Sequence, residues 1–297
     1  TGFGSNATIA RSQLLRPFPQ FGDITTSVND GKSWYHSGQF SLNKRMSQGY
    51  TFGLSYTWSK WLQATEYLNA GDALPTKMIS DQDTPHRLSF SFIYELPFGK
   101  GKSYMSNNAV LDRIVGGWQF QGIYAFQVGF PIRLANDAFF RGGDVSLSPS
   151  ERATELWFNP SPFASAYDFA SFLPAGVTPA TATTAQINAA VTAANTAATP
   201  VSHLRTLPFF FSDLRRDNIN NFDLSFLKNT RINEKMRIQF KLDLINAFNE
   251  PYFPAPIVNP TSTTSIGGRS TPTFGSISAS NQDNYARRIQ YGIKFLF

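Results

Sequence analysis

The residues that could support nucleophilic catalysis are scarce, because the chain of 297 residues contains only 3 histidines. A serine hydrolase needs a histidine beside a serine and an acidic residue that orients the imidazole ring. His36 and His86 lie near the start of segments in which apolar and polar residues alternate, and His203 lies in a long irregular segment. This spacing assembles no Ser/His/Asp set, so the sequence predicts a protein that is not an enzyme.

Three short motifs could bind ions. The segment Asp81–His86 places two carboxylates one residue apart, which suits Ca²⁺, although a solvated loop that turns before Pro85 fits the same residues. Gly99–Lys102 and Arg141–Asp144 are glycine-rich, but neither has the strand–loop–helix context of a phosphate-binding loop. We therefore expect no metal ion, no cofactor and no catalytic residue.

The composition excludes several classes of protein. Charged residues make up 15% and aromatic residues 15% of the chain, whereas about a quarter of the residues of a soluble protein are charged. The net charge is +6, and no cluster of lysine and arginine is interleaved with stacking aromatic residues, so we expect no nucleic-acid partner. The sequence contains no apolar run of about 18 residues, the length that a transmembrane helix requires.

The elements that position the polar side chains must therefore be segments in which apolar and polar residues alternate. Tyr285–Phe297 is the clearest of these segments. Its odd positions are mostly aromatic or aliphatic, and its even positions are mostly polar or small. Successive side chains of a strand point to opposite faces, so the segment predicts a strand with one apolar and one polar face. About 13 residues extend about 43 Å, or about 30 Å of height at a tilt near 45°, which matches the hydrocarbon core of a bilayer.

Six further segments show the same alternation. They are residues 33–45, 50–59, 86–96, 118–130, 220–232 and 236–244. The turns at 46–49 and 233–235 are short, and we predict a short helix at Ala109–Val115 within the linker 97–116. The sequence therefore predicts an all-β fold, an antiparallel transmembrane β-barrel of which about seven strands are visible.

The lengths of the connections predict how these strands lie in a membrane, since outer-membrane barrels have short periplasmic turns and long outer loops. We assign 1–32 and 135–219 as extracellular loops, 33–134 as strands 1–4, and 220–297 as strands 5–7 with a C-terminal membrane-insertion strand. The segment 135–219 is expected to be irregular apart from a small helix within 185–198. Because single-chain barrels have even strand numbers, we expect the remaining strands, and a plug, on the same or another chain.

Three basic residues fall on the apolar face. Lys44 and Arg287 lie at strand ends, where a charge costs up to about 1 kcal/mol, whereas Lys228 lies about five residues above its turn. We expect Lys228 either to extend its amine toward the interface or to lie beside a β-bulge that shifts the register. The aromatic girdle at the strand ends is expected to comprise Trp34, Tyr56, Trp58, Trp61 and Tyr94.

Two sets of residues are candidates for contacting a solute. The polar face predicts a lumenal wall of Arg45, Arg87, Glu95, Asp223, Arg231, Arg237, Lys241, Asp243, Arg288 and Lys294. This wall either pairs with itself or with a plug, or it forms a substrate path. Aromatic residues of the long loops, which either bind a ligand or pack the loop, are Phe139, Phe140, Trp157, Phe158, Phe209, Phe210 and Phe211.

Five stretches carry a family resemblance: NFDLSFLKNTRINEKMRIQFKLDLINAFNEPYF at 221–253, SQGYTFGLSYTWSK at 47–60, HRLSFSFIYELPFGKGK at 86–102, GGWQFQGIYAFQVGFPI at 116–132 and the closing RRIQYGIKFLF. They resemble the barrel of TonB-dependent outer-membrane receptors, most closely the carboxypeptidase-regulatory-like, Oar-type group common in acidobacteria. The resemblance implies the C-terminal portion of a barrel of about 22 strands, a plug, and coupling to TonB through a missing N-terminal part. It also implies that a terminal aromatic residue helps the barrel-assembly machinery recognise the strand that contains Tyr291, Ile293, Phe295 and Phe297.

These expectations converge on the outer membrane of a Gram-negative bacterium, with its lipid as a partner. The leading hypothesis is a TonB-dependent-type transporter or receptor for gated uptake of a bulky nutrient, such as a metal chelate, a glycan or a peptide. The second hypothesis is an outer-membrane barrel protein with a structural or adhesive role. The third is a secreted soluble β-sandwich binding module, in which the aromatic residues would pack inside a water-soluble core.

Overall fold

The computed structural model describes residues 8, 11–21, 24–99, 101–104, 109–137, 140–163, 166–198, 203–233, 236–260, 263–266, 269–278 and 282–297. The strands are β1 (Lys32–Ser47), β2 (Tyr50–Ala64), β3 (Met78–Ile79), β4 (His86–Glu95), β5 (Trp118–Gln127), β6 (Pro131–Arg133), β7 (Phe210–Arg215), β8 (Ile219–Arg231), β9 (Arg237–Ile245), β10 (Thr263–Ile266), β11 (Arg269–Pro272) and β12 (Arg288–Leu296). The helices are α1 (Arg11–Leu14), α2 (Ala109–Val115) and α3 (Thr184–Ala198), with a 3₁₀ helix at Ala166–Phe172.

One antiparallel sheet dominates the described residues, with its long strands in the order β1-β2-β4-β5-β8-β9-β12. The short strand β3 pairs with β2 at Leu62 and Gln63. Two small sheets stand apart from it, β6 with β7 and β10 with β11. The seven predicted strands and the all-β antiparallel fold are therefore confirmed.

The register of the strands determines the composition of the two faces, because cross-strand partners point to the same side of a sheet. One row of partners crosses six strands as Tyr50, Tyr94, Phe120, Phe226, Leu242 and Tyr291. The adjacent row is Thr51, Ile93, Gln121, Ser225, Asp243 and Gln290. One face of the sheet is therefore apolar from strand to strand, and the other is mostly polar.

Aromatic rings of neighbouring strands pack against each other on the apolar face. The ring centroids of Phe120 and Phe226 lie 4.8 Å apart, edge to face, and those of Tyr124 and Phe222 lie 5.9 Å apart in the same arrangement. Such pairs contribute about 0.5–1.5 kcal/mol each beyond the burial of their surface. They favour the pairing of β5 with β8 in this register.

The long sheet is open at both sides within the described residues, since β1 pairs only with β2 and β12 only with β9. Seven strands in alternating directions leave the two edge strands running parallel to each other. The edges therefore cannot pair antiparallel with one another, and antiparallel closure needs an odd number of further strands. All residues of β12 are exposed.

The last strand is shorter than predicted, because β12 begins at Arg288 and not at Tyr285. Two loop asparagines bind the preceding backbone instead of a neighbouring strand. The side-chain amide of Asn246 donates to the Tyr285 carbonyl over 3.0 Å, and the Arg287 amide donates to Oδ1 of Asn249 over 2.9 Å. Since these groups have partners in a loop, the strand ladder begins three residues later.

The junction between β5 and the loop that follows it is fixed by Gly129. The Gly129 amide donates to Oδ1 of Asn218 over 3.0 Å, so β5 ends at Gln127, three residues earlier than predicted. A Cβ atom at Gly129 would overlap the backbone carbonyl oxygens of Arg216 and Asp217. Only glycine fits this close approach of two backbones.

Lys228 and Lys44, which lie on the apolar face near its short-turn end, have partners inside the chain. β8 pairs with both neighbours without a register shift, so no bulge lies beside Lys228. The Lys228 amine instead donates to the carbonyl of Gly116 and lies 5.7 Å from the centroid of the Trp118 ring. Lys44 lies at the bulge near the end of β1, with its amine 3.7 Å from the centroid of the Tyr50 ring.

The three long connections, residues 65–85, 128–218 and 246–287, fold together at one end of the sheet, and we call them the loop unit. Its main core consists of Ile132, Leu134, Val145, Phe158, Phe163, Leu207, Leu214 and Phe274. A second cluster packs Met78 and Ile79 of β3 against Phe210 of β7. The loop unit is therefore more ordered than the sequence predicted for 135–219.

Both short helices lie where the sequence predicts them, α2 at Ala109–Val115 and α3 at Thr184–Ala198. The start of α3 is fixed by a capping box, in which the Gln186 amide donates to Oγ1 of Thr183 and the Thr183 amide donates to Oε1 of Gln186. Ile187 and Val191 of α3 form a small core of their own with Phe169 and neighbouring residues. None of the helices in the described part of the chain is long and apolar enough to cross a membrane.

Candidate ligand-binding surface

A buried ion pair joins two connections at the base of the loop unit. Asp83 has 0% and Arg215 has 8% of its surface exposed. Arg215 Nη2 donates to Asp83 Oδ2 over 2.6 Å and Nη1 to the Asp83 carbonyl over 2.8 Å, while further N–H groups reach the carbonyls of Gly129 and Ser212. Asp83 Oδ1 accepts the Trp61 amide over 2.6 Å. The pair is thus extensively hydrogen-bonded, which a buried ion pair needs to offset its desolvation.

No local sequence pattern predicts this ion pair, because 132 positions separate its two partners. The sequence instead presents Asp83 together with Asp81 as oxygen ligands for Ca²⁺. In the structure both carboxylate oxygens of Asp83 are engaged by Arg215 and Trp61, whereas Asp81 is exposed. The described residues contain no group of three or more His, Asp and Glu side chains that could hold a metal ion.

Arg205 is the centre of a second polar cluster. Its guanidinium donates to the carbonyls of Leu134 and Ala135, and to Oδ1 of Asp137 over 3.3 Å. His203 Nε2 lies 2.9 Å from the same Asp137 oxygen. Burial lowers the pKa of Arg205, and the Asp137 carboxylate opposes that shift. The cluster ties the segment that precedes β7 to the segment that follows β6.

One exposed guanidinium, that of Arg133, lies beside this cluster and against an aromatic ring. The guanidinium carbons of Arg133 and Arg205 lie 4.2 Å and 4.0 Å from the centroid of the Phe209 ring. Arg133 also binds both carboxylate oxygens of Glu66, over 2.7 Å and 2.5 Å. The hydrogen bond from Arg133 lowers the pKa of Glu66, and the same bond raises the pKa of Arg133. The surface therefore presents the Arg133–Glu66 pair beside a half-buried ring, whereas Arg205 is only 8% exposed.

The loop aromatics that the sequence singles out differ in exposure. Phe158 is completely buried and Phe210 is 6% exposed, so both rings belong to the interior of the loop unit. The rings that pack against this interior while staying half-buried are Phe140, Trp157, Phe209 and Phe211. Phe139 lies outside the described residues. A role of these aromatics in ligand binding stays a prediction, and the half-buried rings are the ones that a ligand can reach.

The polar face of the sheet is partly paired with itself. The Lys241 amine lies 2.8 Å from Asp243 Oδ2, and the Ser225 hydroxyl also donates to Asp243. In the row of cross-strand partners that contains Lys241, the Lys102 amine lies 2.6 Å from Glu95 Oε2. These contacts agree with a wetted wall that satisfies its own charges.

The remaining charged residues of the predicted wall occupy defined register positions. On the polar face lie Arg87, Arg231, Arg237, Arg288 and Lys294. Arg237 directly faces Arg231. Asp223 accepts the Asn246 amide over 2.8 Å, and Arg45 lies in the register shift between Lys44 and Ser47. The sequence prediction of which side chains share this face therefore agrees with the strand pairing.

The chain matches the model of the outer membrane beta barrel domain family over residues 3–290. This match agrees with a sheet that has one apolar and one polar face. The protein belongs to this family. No curated protein matches the chain. The apolar face of this outer-membrane barrel therefore contacts lipid in the bacterial outer membrane, and the polar face lines the lumen. The alternative of a secreted soluble β-sandwich is wrong.

A groove on the lipid-facing side of the barrel lies at the end where the turns are short. It encloses about 450 Å³ and is lined by Leu96, Phe98, Val115, Trp118, Phe120 and Phe226. All six side chains are apolar or aromatic, as the surroundings of an acyl chain require. The groove is thus a membrane contact of the barrel.

Aromatic and histidine side chains occupy the opposite, long-loop end of the lipid-facing surface. Tyr56 and His86 share a hydrogen bond of 2.9 Å between Oη and Nδ1, and Trp58 is 64% exposed. His36 directly faces Lys60 across β1 and β2. Both histidines therefore have lipid-facing register positions at the long-loop end of the sheet.

One residue of the predicted aromatic girdle lies on the other side of the barrel wall. Trp34, Trp58 and Tyr94 have lipid-facing register positions, but Trp61 pairs with Tyr35 on the polar face. Its indole donates to the Ser33 hydroxyl over 2.7 Å. The prediction was wrong for Trp61 because β2 keeps its alternation up to Ala64, so odd-numbered positions face the lumen.

Proposed function

We propose that this barrel is part of a TonB-dependent-type transporter that binds a bulky nutrient and admits it through a gated lumen. The nutrient is a metal chelate, a glycan or a peptide, and it passes without covalent change. The long-loop end of the sheet faces the medium, and the short-turn end, with the turns near 48–49 and 232–236, faces the periplasm. This orientation follows the usual asymmetry of loops in outer-membrane barrels.

The observation that carries the proposal is the folded loop unit. Its three connections share hydrophobic cores, and the pair of Asp83 with Arg215 fixes two of them to each other. A preordered surface loses less conformational entropy when it binds a ligand than a set of separate flexible loops does. Binding residues are commonly carried by loops on a rigid scaffold, which is the arrangement at this end of the barrel.

The surface around Phe209 is the part of the loop unit best suited to a polar nutrient. The guanidinium groups of Arg133 and Arg205 both pack against the ring; Arg133 is exposed and is held in place by Glu66, whereas Arg205 is buried. Arginine is the side chain that best matches carboxylate and phosphate groups, and its plane stacks on aromatic surfaces. These properties favour a ligand that carries both negative charge and an unsaturated or sugar-like face.

Three further contacts belong to the proposal. The charged wall of the lumen contacts a plug or the passing solute, and TonB acts through an N-terminal part of the protein. The barrel-assembly machinery recognises the last strand, where Tyr291 is 72%, Ile293 64%, Phe295 63% and Phe297 100% exposed. Exposed aromatic side chains at an unpaired edge are accessible to such a partner.

Two deletions test the proposal against a structural or adhesive role. Removing residues 135–219 eliminates most of the loop unit, whereas removing only 184–198 eliminates α3 and leaves the main core intact. Cells carrying the full-length protein are assayed for uptake of labelled ferric chelates, oligosaccharides and peptides, and for attachment and envelope integrity. Transport predicts lost uptake and normal attachment for the larger deletion, with uptake retained by the smaller one. Unchanged uptake together with lost attachment would support the structural role.

A further inference from the structure

Four basic side chains gather on the lipid-facing surface at the long-loop end. Lys32, His36 and Lys60 have register positions on this face, beside the strands' aromatic residues. Lys77 joins them, with its amine 4.6 Å from the centroid of the Trp34 ring. All four basic side chains are exposed. None of them takes part in an ion pair with a carboxylate of the described residues.

Two of these basic side chains face each other directly. His36 and Lys60 are register partners in adjacent strands, so their Cβ atoms are about 5 Å apart. An anion that lies between them accepts a hydrogen bond from each side chain, and the bond from Lys60 is charge-assisted.

The height of the cluster in the wall places it at the level of lipid headgroups. Ten positions separate Tyr50 from Lys60 along β2, which corresponds to about 33 Å of strand and about 23 Å of height at a tilt near 45°. The apolar band of an outer-membrane barrel is about 25 Å tall. With Tyr50 at one interface, Lys60 therefore reaches the other.

Basic residues on the same surface at the short-turn end differ from this cluster, because they are engaged inside the chain. Lys228 binds the Gly116 carbonyl, and Lys44 lies 3.7 Å over the Tyr50 ring. Lys60 and His36 make neither kind of contact within the described residues, and they have no neighbouring carboxylate in register. The positive charge available to an external anion is therefore concentrated at the long-loop end.

We propose that this cluster binds a phosphate group of the lipopolysaccharide in the outer leaflet. The lysine and histidine side chains hold the phosphate at the headgroup level, while Trp34 and Trp58 lie against the sugar and the upper acyl chains. Clusters of basic residues at a membrane surface bind anionic lipid headgroups in this way. The inference rests on the orientation given under the proposed function, and it does not depend on which solute the barrel transports.

The experiment measures lipid bound to the full-length protein after its extraction from outer membranes in mild detergent. The variant carries His36→Gln, Lys60→Gln and Lys77→Gln, and heat-modifiable gel mobility verifies its fold. A control variant carries Lys44→Gln, Lys102→Gln and Arg113→Gln, which changes the same number of basic residues at the short-turn end. Native mass spectrometry and phosphate analysis give the amount of lipopolysaccharide and of phospholipid per protein.

Loss of lipopolysaccharide from the first variant and retention by the control would support the proposal. Each lysine that is removed weakens retention by about fivefold, in line with the contribution of a single basic residue at a charged membrane surface. Micelles of lipid A are predicted to bind the wild type better than dephosphorylated lipid A micelles do, and excess inorganic phosphate is predicted not to displace them. Equal retention by both variants, equal binding of both lipids, or loss of phospholipid instead of lipopolysaccharide would overturn the proposal. Uptake assays on the same variants report on the proposed transport separately.

Discussion

Replacement of Asp83 by asparagine tests whether the buried ion pair holds the loop unit to the sheet. The change preserves the size of the side chain and an acceptor for the Trp61 amide, but it removes the negative charge opposite Arg215. Because Arg215 is only 8% exposed, its guanidinium then stays buried with backbone carbonyls as its remaining partners.

The expected magnitude follows from the burial of both partners. Removing one member of a buried ion pair typically costs about 3–5 kcal/mol, because an uncompensated charge remains. The carbonyls of Ser212, Gly129 and Asp83 still bind the guanidinium, so the lower end of that range applies. A loss of about 3 kcal/mol corresponds to about a hundredfold increase in the population of the opened state.

Hydrogen exchange is the suitable assay, because it reports local opening while the rest of the barrel stays folded. The reporters are three amides beside the pair: Trp61, which donates to Asp83, Ser59, which donates to the Pro85 carbonyl, and Ser80, which donates to the Trp61 carbonyl. We expect protection of these amides to fall about a hundredfold in Asp83→Asn.

A matched control is available two residues earlier. Asp81 is exposed, and within the described residues its carboxylate accepts a hydrogen bond from the Ser80 hydroxyl, at 3.4 Å, so Asp81→Asn is expected to change the protection less than about twofold. The double variant Asp83→Leu with Arg215→Met removes both charges and is expected to lie closer to wild type than Asp83→Asn does. Protection in Asp83→Asn within about threefold of wild type would refute the role assigned to the pair.

Two further predictions concern the loop unit and its junction with the sheet. The pKa of Glu66 is lowered by Arg133, so their bond stabilises the loop unit above pH 4.5 and is lost as the pH falls through the lowered value. Hydrogen exchange should therefore distinguish Glu66→Gln from wild type at pH 7, and the difference should shrink in acid; a pH-independent difference would contradict this. Gly129→Ala should lower the free energy of unfolding by about 1–3 kcal/mol in urea titrations, because its Cβ overlaps backbone carbonyls. Gly38→Ala, with open space around its Cβ, is the control, and equal effects of the two would contradict the packing.

The sheet was predictable from the sequence because its determinant is local. Polar and apolar side chains alternate with a period of two, and one bilayer-facing surface must be apolar in every strand. That rule places Phe240 and Leu242 on one face and Lys241 and Asp243 on the other, as the strand pairing shows. Local sequence also located α2 and α3, and the capping box at Thr183 fixes the residue at which α3 begins.

The loop unit was much less predictable, because contacts between distant segments hold it together. Arg215 pairs with a residue 132 positions away, and nothing in its neighbourhood of the sequence indicates that partner. Phe158 and Phe210 are aromatic loop residues, which the sequence alone presents as candidates for ligand binding, but both are buried in the interior of the loop unit. The sequence of β8 also did not predict the partner of the Lys228 amine, because that partner is the carbonyl of Gly116, in the connection between β4 and β5.

The claim on which this account depends is that one face of the sheet meets lipid and the other meets water. The chain contains no cysteine, so single cysteines can be introduced at positions 238–244 of β9 and spin-labelled in the reconstituted full-length barrel. Collisions with oxygen, which dissolves in lipid, are compared with collisions with a water-soluble nickel chelate. The account predicts that oxygen accessibility is higher at 238, 240, 242 and 244 and that nickel accessibility is higher at 239, 241 and 243. A uniform profile, or one with the opposite phase, would contradict it.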